Sequence, residues 1–104
     1  MTALPPEIAA VLDGTRRWAV VCGDCLDVLQ SLPDDAGVVY TDVPYNAKKA
    51  IANDDMLWEV YLPWLDVRIE AFRRVGRLAF SFFTQRHLIR FIRESTCPPD
   101  ALLH

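Results

Sequence analysis

GVVYTDVPYN, residues 37–46, joins a short apolar run to a polar loop. Residues 38–41 form a short apolar run with the length and β-branched character of a buried strand. The chain turns polar at Asp42, and a proline, a tyrosine and an asparagine follow at once. Ligands of parallel α/β sheets bind beyond the carboxyl ends of the strands, so a polar loop in this position is a candidate site.

Apolar runs and helical patterns alternate along the rest of the chain. Asp24 stands where the N-cap of a helix is expected, and Gly76 is a natural helix end. The predicted elements are, in order, a strand over residues 18–22, a helix over 26–32, a strand over 38–41, a helix from 58 to Gly76, a strand over 78–83 and a helix over 85–94.

This order predicts the α/β class, with about three parallel strands and helices that flank the sheet and cover both of its faces. We expect residues 1–15 to be an N-terminal arm with a short helix over residues 7–12. Residues 16–96 are expected to form the domain, and residues 97–104 a C-terminal tail.

The two long helices carry clear helical periodicity. In the first, apolar residues recur at helical spacing, and Pro63 is expected in the first turn or at a kink. In the last, Leu88, Ile89, Phe91 and Ile92 are predicted to face inward. Arg86, Arg90 and Arg93 are predicted to form a solvated face, with phosphate contact as the alternative.

Composition limits the class of protein. The 104 residues are 52% hydrophobic and 24% charged, which indicates one small folded domain. No run approaches the ~20 apolar residues of a membrane span, and the N-terminus has no signal-peptide pattern, so no membrane partner is expected. Three cysteines are few for a disulfide scaffold and favour a reduced, cytoplasmic setting.

Charge is unevenly distributed along the chain. Residues 1–67 contain 4 basic and 11 acidic side chains, a net charge of -7, whereas residues 68–104 contain 7 arginines and 3 acidic side chains, a net charge of +4. A polyanion is therefore expected to meet the C-terminal part, if it meets the chain at all.

The segment GDCLDVLQSLPDDAGVVYTDVPYN, residues 23–46, resembles the catalytic region of the amino-group DNA methyltransferases. The family is marked by a strand that ends in D-P-P-Y, after a G-D-x-x-x-x-L helix and before an acidic or tryptophan-containing stretch. Matching positions are Gly23, Asp24 and Leu29, then residues 42–46, then Asp54, Asp55, Trp58 and Trp64. The resemblance covers residues 18–94 and implies a partial Rossmann-like methyltransferase fold.

This resemblance also implies a reaction and a set of site residues. Family members transfer a methyl group from S-adenosylmethionine to N6 of adenine or N4 of cytosine in DNA. The catalytic positions are Asp42, Val43 through its carbonyl, Pro44 and Tyr45. The flipped base would meet Tyr45 and Asn46, and the cofactor would meet Asp24 and Cys25.

Two departures from the family pattern affect this expectation. Val43 replaces the first proline of D-P-P-Y, which keeps the carbonyl acceptor but loses the rigidity of the ring. The four glycines lie at positions 14, 23, 37 and 76, so the family's F-x-G-x-G turn does not occur in the sequence. We therefore expect a catalytic half, incomplete alone, that works with a second chain or a missing C-terminal half carrying that turn.

Plainer readings remain open at each position. Residues 42–46 could be a polar turn and Asp24 a helix cap, which does not exclude cofactor contact. Cys22 and Cys25 have C-x-x-C spacing without a second pair, so no metal is expected. The alternative function is an inactive methyltransferase remnant that serves binding or assembly. A small nucleotide-binding α/β domain is a weaker third reading because no phosphate-binding glycine loop is present.

Overall fold

A computed structural model describes residues 4–43, 56–82 and 85–102, and all structural statements below concern these ranges. They form a mixed α/β structure, as the sequence predicts. The elements are α1 (Pro6–Leu12), α2 (Cys25–Ser31), β1 (Gly37–Asp42), α3 (Trp58–Val75), β2 (Gly76–Phe82) and α4 (Gln85–Glu94). The predicted helices and the second and third predicted strands are confirmed, within a residue or two at their ends.

β1 and β2 pair in parallel, with Val38 opposite Leu78 and Thr41 opposite Ser81. The Thr41 and Ser81 hydroxyls are 2.8 Å apart and share a hydrogen bond across the two strands. Parallel strands need a crossover connection between them, and α3 lies in it, packing against both strands. The prediction of a parallel sheet is therefore confirmed.

The predicted first strand is wrong, and the sheet of the described residues has two strands instead of about three. Residues 18–22 adopt no regular structure, and Trp18 and Val20 are 70% and 83% exposed. An apolar run becomes a strand only where another strand offers it hydrogen-bonding partners. In the described residues β1 pairs only with β2, and residues 18–22 form no ladder with either strand.

α3 is the centre of the core. Its buried side chains include Tyr61, Leu65, Ile69 and Phe72, and these recur at the helical spacing noted in the sequence. Pro63 lies inside the helix, beyond its first turn. At the C-terminal end of α2, the Leu29 and Leu32 carbonyls accept hydrogen bonds from the Arg74 side chain. Because Arg74 belongs to α3, α3 also caps the neighbouring helix.

The segment after α4 is hydrogen-bonded to α3 through a small cluster of polar groups. Asp66, which is 9% exposed, accepts hydrogen bonds from the Ser95 hydroxyl and the Thr96 backbone N–H. Cys97 is 9% exposed and belongs to the core, where burial raises the pKa of its thiol. On α4, Phe91 is buried as predicted, but the prediction that Ile89 and Ile92 face inward is wrong, since they are 66% and 37% exposed.

The two faces of the sheet differ in cover. Val39 and Ala79 point toward α3 and pack against the core. On the other face five apolar side chains are exposed to solvent, so the expectation of a sheet covered on both sides is wrong for the described residues. We call this set the bare face, and its members are Val38, Tyr40, Leu78, Phe80 and Phe82.

Candidate functional site

An open cleft of about 540 Å³ lies at the carboxyl end of β1. Three elements line it, and we call it the central cleft. Residues 23–25 come from the start of α2, residues 40–43 from the end of β1, and Trp64, Arg68 and Phe72 from α3. The strand end and the start of the neighbouring helix thus meet at one place, as the fold rule for α/β sheets leads one to expect.

Four of the site residues named from the sequence line this cleft: Asp24, Cys25, Asp42 and Val43. Pro44, Tyr45 and Asn46 lie outside the described residues, as do Asp54 and Asp55. Asp24 and Asp42 are 18 positions apart in sequence, and the approach of α2 to the end of β1 brings both to one cleft. Their roles remain predictions.

Asp42 ends β1, is exposed, and is one of the residues that line the cleft. Strand alternation places Asp42 on the same side of the sheet as Tyr40, away from α3. An exposed carboxylate at a strand end keeps its acceptor sites available to a donor entering from solvent.

Val43 has a structural role that the sequence resemblance did not indicate. Its side chain is 7% exposed and belongs to the core cluster with Leu65 and Phe72. Val43 is therefore held in place by burial, and its backbone follows directly on Asp42. Burial of the Val43 side chain restricts this position through packing, whereas a proline ring would restrict it by limiting φ.

Asp24 caps α2, as predicted: its Oδ1 accepts a hydrogen bond of 2.9 Å from the Leu26 backbone N–H. The carboxylate also binds Arg68, whose Nη2 lies 2.8 Å from Oδ2 and 3.2 Å from Oδ1. The Asp24 side chain remains 50% exposed, whereas that of Arg68 is 10% exposed. The ion pair therefore joins a buried guanidinium to a carboxylate that is half exposed to solvent.

Arg68 is held on three sides. Its Nη1 donates to the Trp64 carbonyl at 3.1 Å, and its guanidinium carbon lies 4.0 Å from the centroid of the Trp64 ring, a cation–π distance. Trp64 in turn stacks against Tyr61 at 6.2 Å between centroids. The guanidinium is thus fixed in direction, and it fixes the direction of the Asp24 carboxylate.

Sequence reasoning missed Arg68 as a site residue, although a signal was present. Tyr61, Leu65, Arg68 and Phe72 recur at helical spacing, so a single arginine occupies an otherwise apolar face of α3. A buried cation needs a partner, and the search for a carboxylate near a helix start would have led to Asp24.

A smaller cavity of about 260 Å³ adjoins the central cleft. It lies between residues 21–29 and β1, and its walls include Val21, Val28 and Val39. Its lining is mainly apolar, so it offers few groups for chemistry. Cys22 and Cys25 are exposed free thiols, and the described residues contain no group of three or more His, Cys, Asp or Glu side chains that could hold a metal ion.

Comparisons with protein-family models, curated proteins and solved structures give no match for this chain. Within the ranges that the structure describes, no helix combines the length and the apolar character that crossing a membrane would require.

Proposed function

We propose that this chain is the catalytic part of an S-adenosylmethionine-dependent DNA methyltransferase that modifies N6 of adenine or N4 of cytosine. The observation that carries the proposal is the central cleft, which is lined both by residues 23–25 and by Asp42 and Val43. These are the two segments on which the family resemblance depends. The finer fold, a partial Rossmann-like methyltransferase, belongs to the same proposal.

Methyl transfer to a base amino group requires two hydrogen-bond acceptors at the amino nitrogen. An exocyclic amino group is a poor nucleophile because its lone pair is delocalised into the base. The Asp42 carboxylate and the Val43 carbonyl would accept hydrogen bonds from its two N–H groups and favour a pyramidal nitrogen with a localised lone pair. Transfer would then be direct, with no covalent bond between enzyme and base. Tyr45 and Asn46 would hold the flipped base, with Pro44 fixing the turn.

Asp24 and Cys25 are the residues that would hold the cofactor. S-adenosylmethionine supplies an electrophilic methyl group when it is bound. Asp24 fits the adenine end because a carboxylate offers about four acceptor positions, and its half-exposed side chain keeps some of them open beside its bonds to Arg68 and Leu26. Arg68 would keep that carboxylate correctly aimed.

Two partners complete the proposal. DNA is the substrate, and the surplus of arginines after residue 67 is the part of the chain suited to its phosphates. A second chain, or a further segment, would supply the glycine-rich turn of the family. We also propose a cytoplasmic location, which suits free thiols at Cys22, Cys25 and Cys97.

A methyl-transfer assay tests the role of Asp42. We expect the wild-type chain, supplied with the segment or second chain that carries the glycine-rich turn, to transfer tritiated methyl groups from S-adenosylmethionine to DNA. In the same assay Asp42→Ala should lose at least about a hundredfold in rate, the lower range for a group that acts at the reacting atom. Asp27→Ala is the matched control because Asp27 is an exposed carboxylate on α2 that does not line the cleft. Equal labelling by wild type and Asp42→Ala would remove Asp42 from the mechanism.

A second function, an inactive remnant that serves binding or assembly, is favoured by one observation. Arg68 occupies both oxygens of Asp24, the carboxylate on which cofactor binding depends. Calorimetry with S-adenosylmethionine separates the two: saturable binding that Asp24→Ala abolishes supports the methyltransferase. Absence of both binding and methyl transfer would leave the binding module as the better account.

A further inference from the structure

Two of the three cysteines lie close together in the sequence and are open to solvent. Cys22 and Cys25 are exposed free thiols, whereas Cys97 is buried. Their C-x-x-C spacing stands directly before α2, and α2 leads into the parallel pair of strands. In a chain with an α/β pattern, this spacing before a helix is typical of a thiol–disulfide redox motif.

Neither packing nor a metal site accounts for this pair of thiols. Free cysteine is among the most buried residue types, so two exposed cysteines side by side are unusual. A zinc site needs further ligands, and the described part of the chain holds no group of three or more His, Cys, Asp or Glu side chains suited to a metal ion. The chemistry of the thiols themselves is therefore the better explanation.

The backbone between the two cysteines has room to close a disulfide ring. The chain bends at Gly23, and a Cβ on that glycine would have no atom within 4 Å, so the bend can tighten without a clash. Cys25 is fixed as the first residue of α2. Cys22 ends the irregular segment 18–22, in which Val20 is 83% exposed. Because little holds that segment, Cys22 is free to approach Cys25 to the distance that a disulfide requires.

A ring closed by these cysteines would enclose Asp24. The Asp24 carboxylate caps α2 through the Leu26 backbone N–H and binds Arg68 with both oxygens. Residues 23–25 also line the central cleft. A covalent link between residues 22 and 25 would restrain the backbone that carries Asp24 and so change how its carboxylate meets Arg68.

We propose that Cys22 and Cys25 form a reversible dithiol–disulfide pair that acts on the central cleft through Asp24. Disulfides that form in reducing compartments are usually transient and serve catalysis or redox sensing, which suits an exposed pair beside a binding cleft. The proposal does not rest on the methyltransferase function, because it concerns the thiols and the Asp24–Arg68 contact alone.

The oxidant is a small-molecule disulfide such as glutathione disulfide. The thiolate of one cysteine attacks a sulfur of this disulfide, which forms a mixed disulfide and releases one glutathione thiolate. The thiolate of the other cysteine then attacks the cysteine sulfur of the mixed disulfide and releases the second glutathione. The chain loses two electrons and two protons, and one glutathione disulfide is reduced to two glutathione molecules.

Mass spectrometry of the full chain, equilibrated in a series of glutathione buffers and quenched with acid, tests the pairing. We expect the wild type and Cys97→Ala to lose two hydrogens, with the bond located between Cys22 and Cys25. Cys22→Ser and Cys25→Ser should instead accumulate a mixed disulfide with glutathione. Its fraction should be at least about tenfold lower in the wild type, because the second thiol displaces glutathione from within the same chain.

The side-chain N–H signals of Arg68 in nuclear magnetic resonance spectra test the effect on the cleft. Oxidation of the wild type should shift these signals, because Asp24 is the partner of Arg68. Arg90 is the matched control, since its Nε lies 2.8 Å from Glu94 and its guanidinium carbon 4.7 Å from the centroid of the Trp58 ring. The Arg90 signals should stay in place.

Three results would overturn the proposal. The first is a wild type that keeps both thiols reduced even in glutathione disulfide alone. The second is a wild type that stops at mixed disulfides or forms disulfides only between chains. The third is an internal disulfide that leaves the Arg68 signals in place or shifts those of Arg90 equally. All three are read from the wild type, so they hold even if a serine variant fails to fold.

Discussion

The two faces of the sheet are both lined by apolar residues, but only one of them is covered by other parts of the described chain. On the covered face, Val39 and Ala79 pack beneath α3. On the bare face, Tyr40 and Leu78 are equally apolar in type but 72% and 53% exposed. An apolar side chain thus contributes to stability through what packs on it, and the two faces should respond differently to the same kind of substitution.

The largest difference is expected from removing side-chain volume. Leu65 of α3 is 0% exposed, so Leu65→Ala should lower the free energy of unfolding by about 2–5 kcal/mol through lost burial and a residual cavity. Leu78→Ala, the same change on the bare face, should cost the monomer under about 1 kcal/mol, since the side chain is half in water already. Urea denaturation at high dilution measures both. Equal losses would erase the distinction between the faces.

Adding a methyl group gives the next effect. A Cβ at Gly76 would lie 2.8 Å from the Leu78 carbonyl oxygen and 2.9 Å from Val39 Cγ2. Gly76→Ala should therefore cost about 1–3 kcal/mol by overpacking the junction of α3 and β2. Gly37, its partner in the sheet register, has no atom within 4 Å of such a Cβ. Gly37→Ala is the control, and thermal unfolding midpoints that fall together would contradict this account.

A smaller loss is expected from the hydroxyl pair between the strands. Thr41→Val leaves the part-buried Ser81 hydroxyl without its 2.8 Å partner, which should cost about 1 kcal/mol. The reverse change on the bare face, Val38→Thr, exposes its hydroxyl to water and should be close to neutral. Guanidinium unfolding curves with unchanged slopes would measure the difference, and a Thr41→Val protein as stable as wild type would show that the pair contributes nothing.

The smallest effect at neutral pH comes from Cys97, which packs with α3 on the covered side. Burial raises the pKa of its thiol above the ordinary value. The folded state then prefers the protonated thiol, so its contribution is complete below the ordinary thiol pKa of about 8.5 and is lost as pH rises through the raised value. Unfolding midpoints should fall at alkaline pH, and Cys97→Ala should fall less. Cys97 should also alkylate more slowly than the exposed Cys22.

Periodicity and capping signals were enough to predict the helices. α3 carries its apolar residues at a spacing that only a helix brings to one side, and Asp24 has the one side-chain oxygen placed to cap α2. These features are local, because the residues that cause them lie within one or two turns of each other. Local causes can be read from sequence.

Residues 18–22 and the bare face could not be predicted in this way. An apolar run is a strand only if a neighbour accepts its hydrogen bonds, and the sequence of the run does not contain that neighbour. Likewise, Tyr40 and Leu78 have the composition of buried strand residues. Whether they are covered depends on other parts of an assembly.

The candidate site was predicted in part. Asp24, Asp42 and Val43 were named and line one cleft, because strand ends and helix starts gather at the same edge of a parallel sheet. Arg68 was missed because its partner lies 44 positions away, and its importance comes from burial between Trp64 and Asp24. Val43 was treated as a loop residue, while its side chain belongs to the core.

The pairing of Thr41 with Ser81 joins residues 40 positions apart in the chain. Closing a loop of that length is slow compared with forming α3, whose contacts are local. We therefore expect a transition state for folding in which α3 is formed and the two strands are still apart. On that pathway β1 and β2 remain separate apolar segments until α3 has formed. The rate at which α3 then brings β1 and β2 together sets how long a newly made chain is exposed to misassociation.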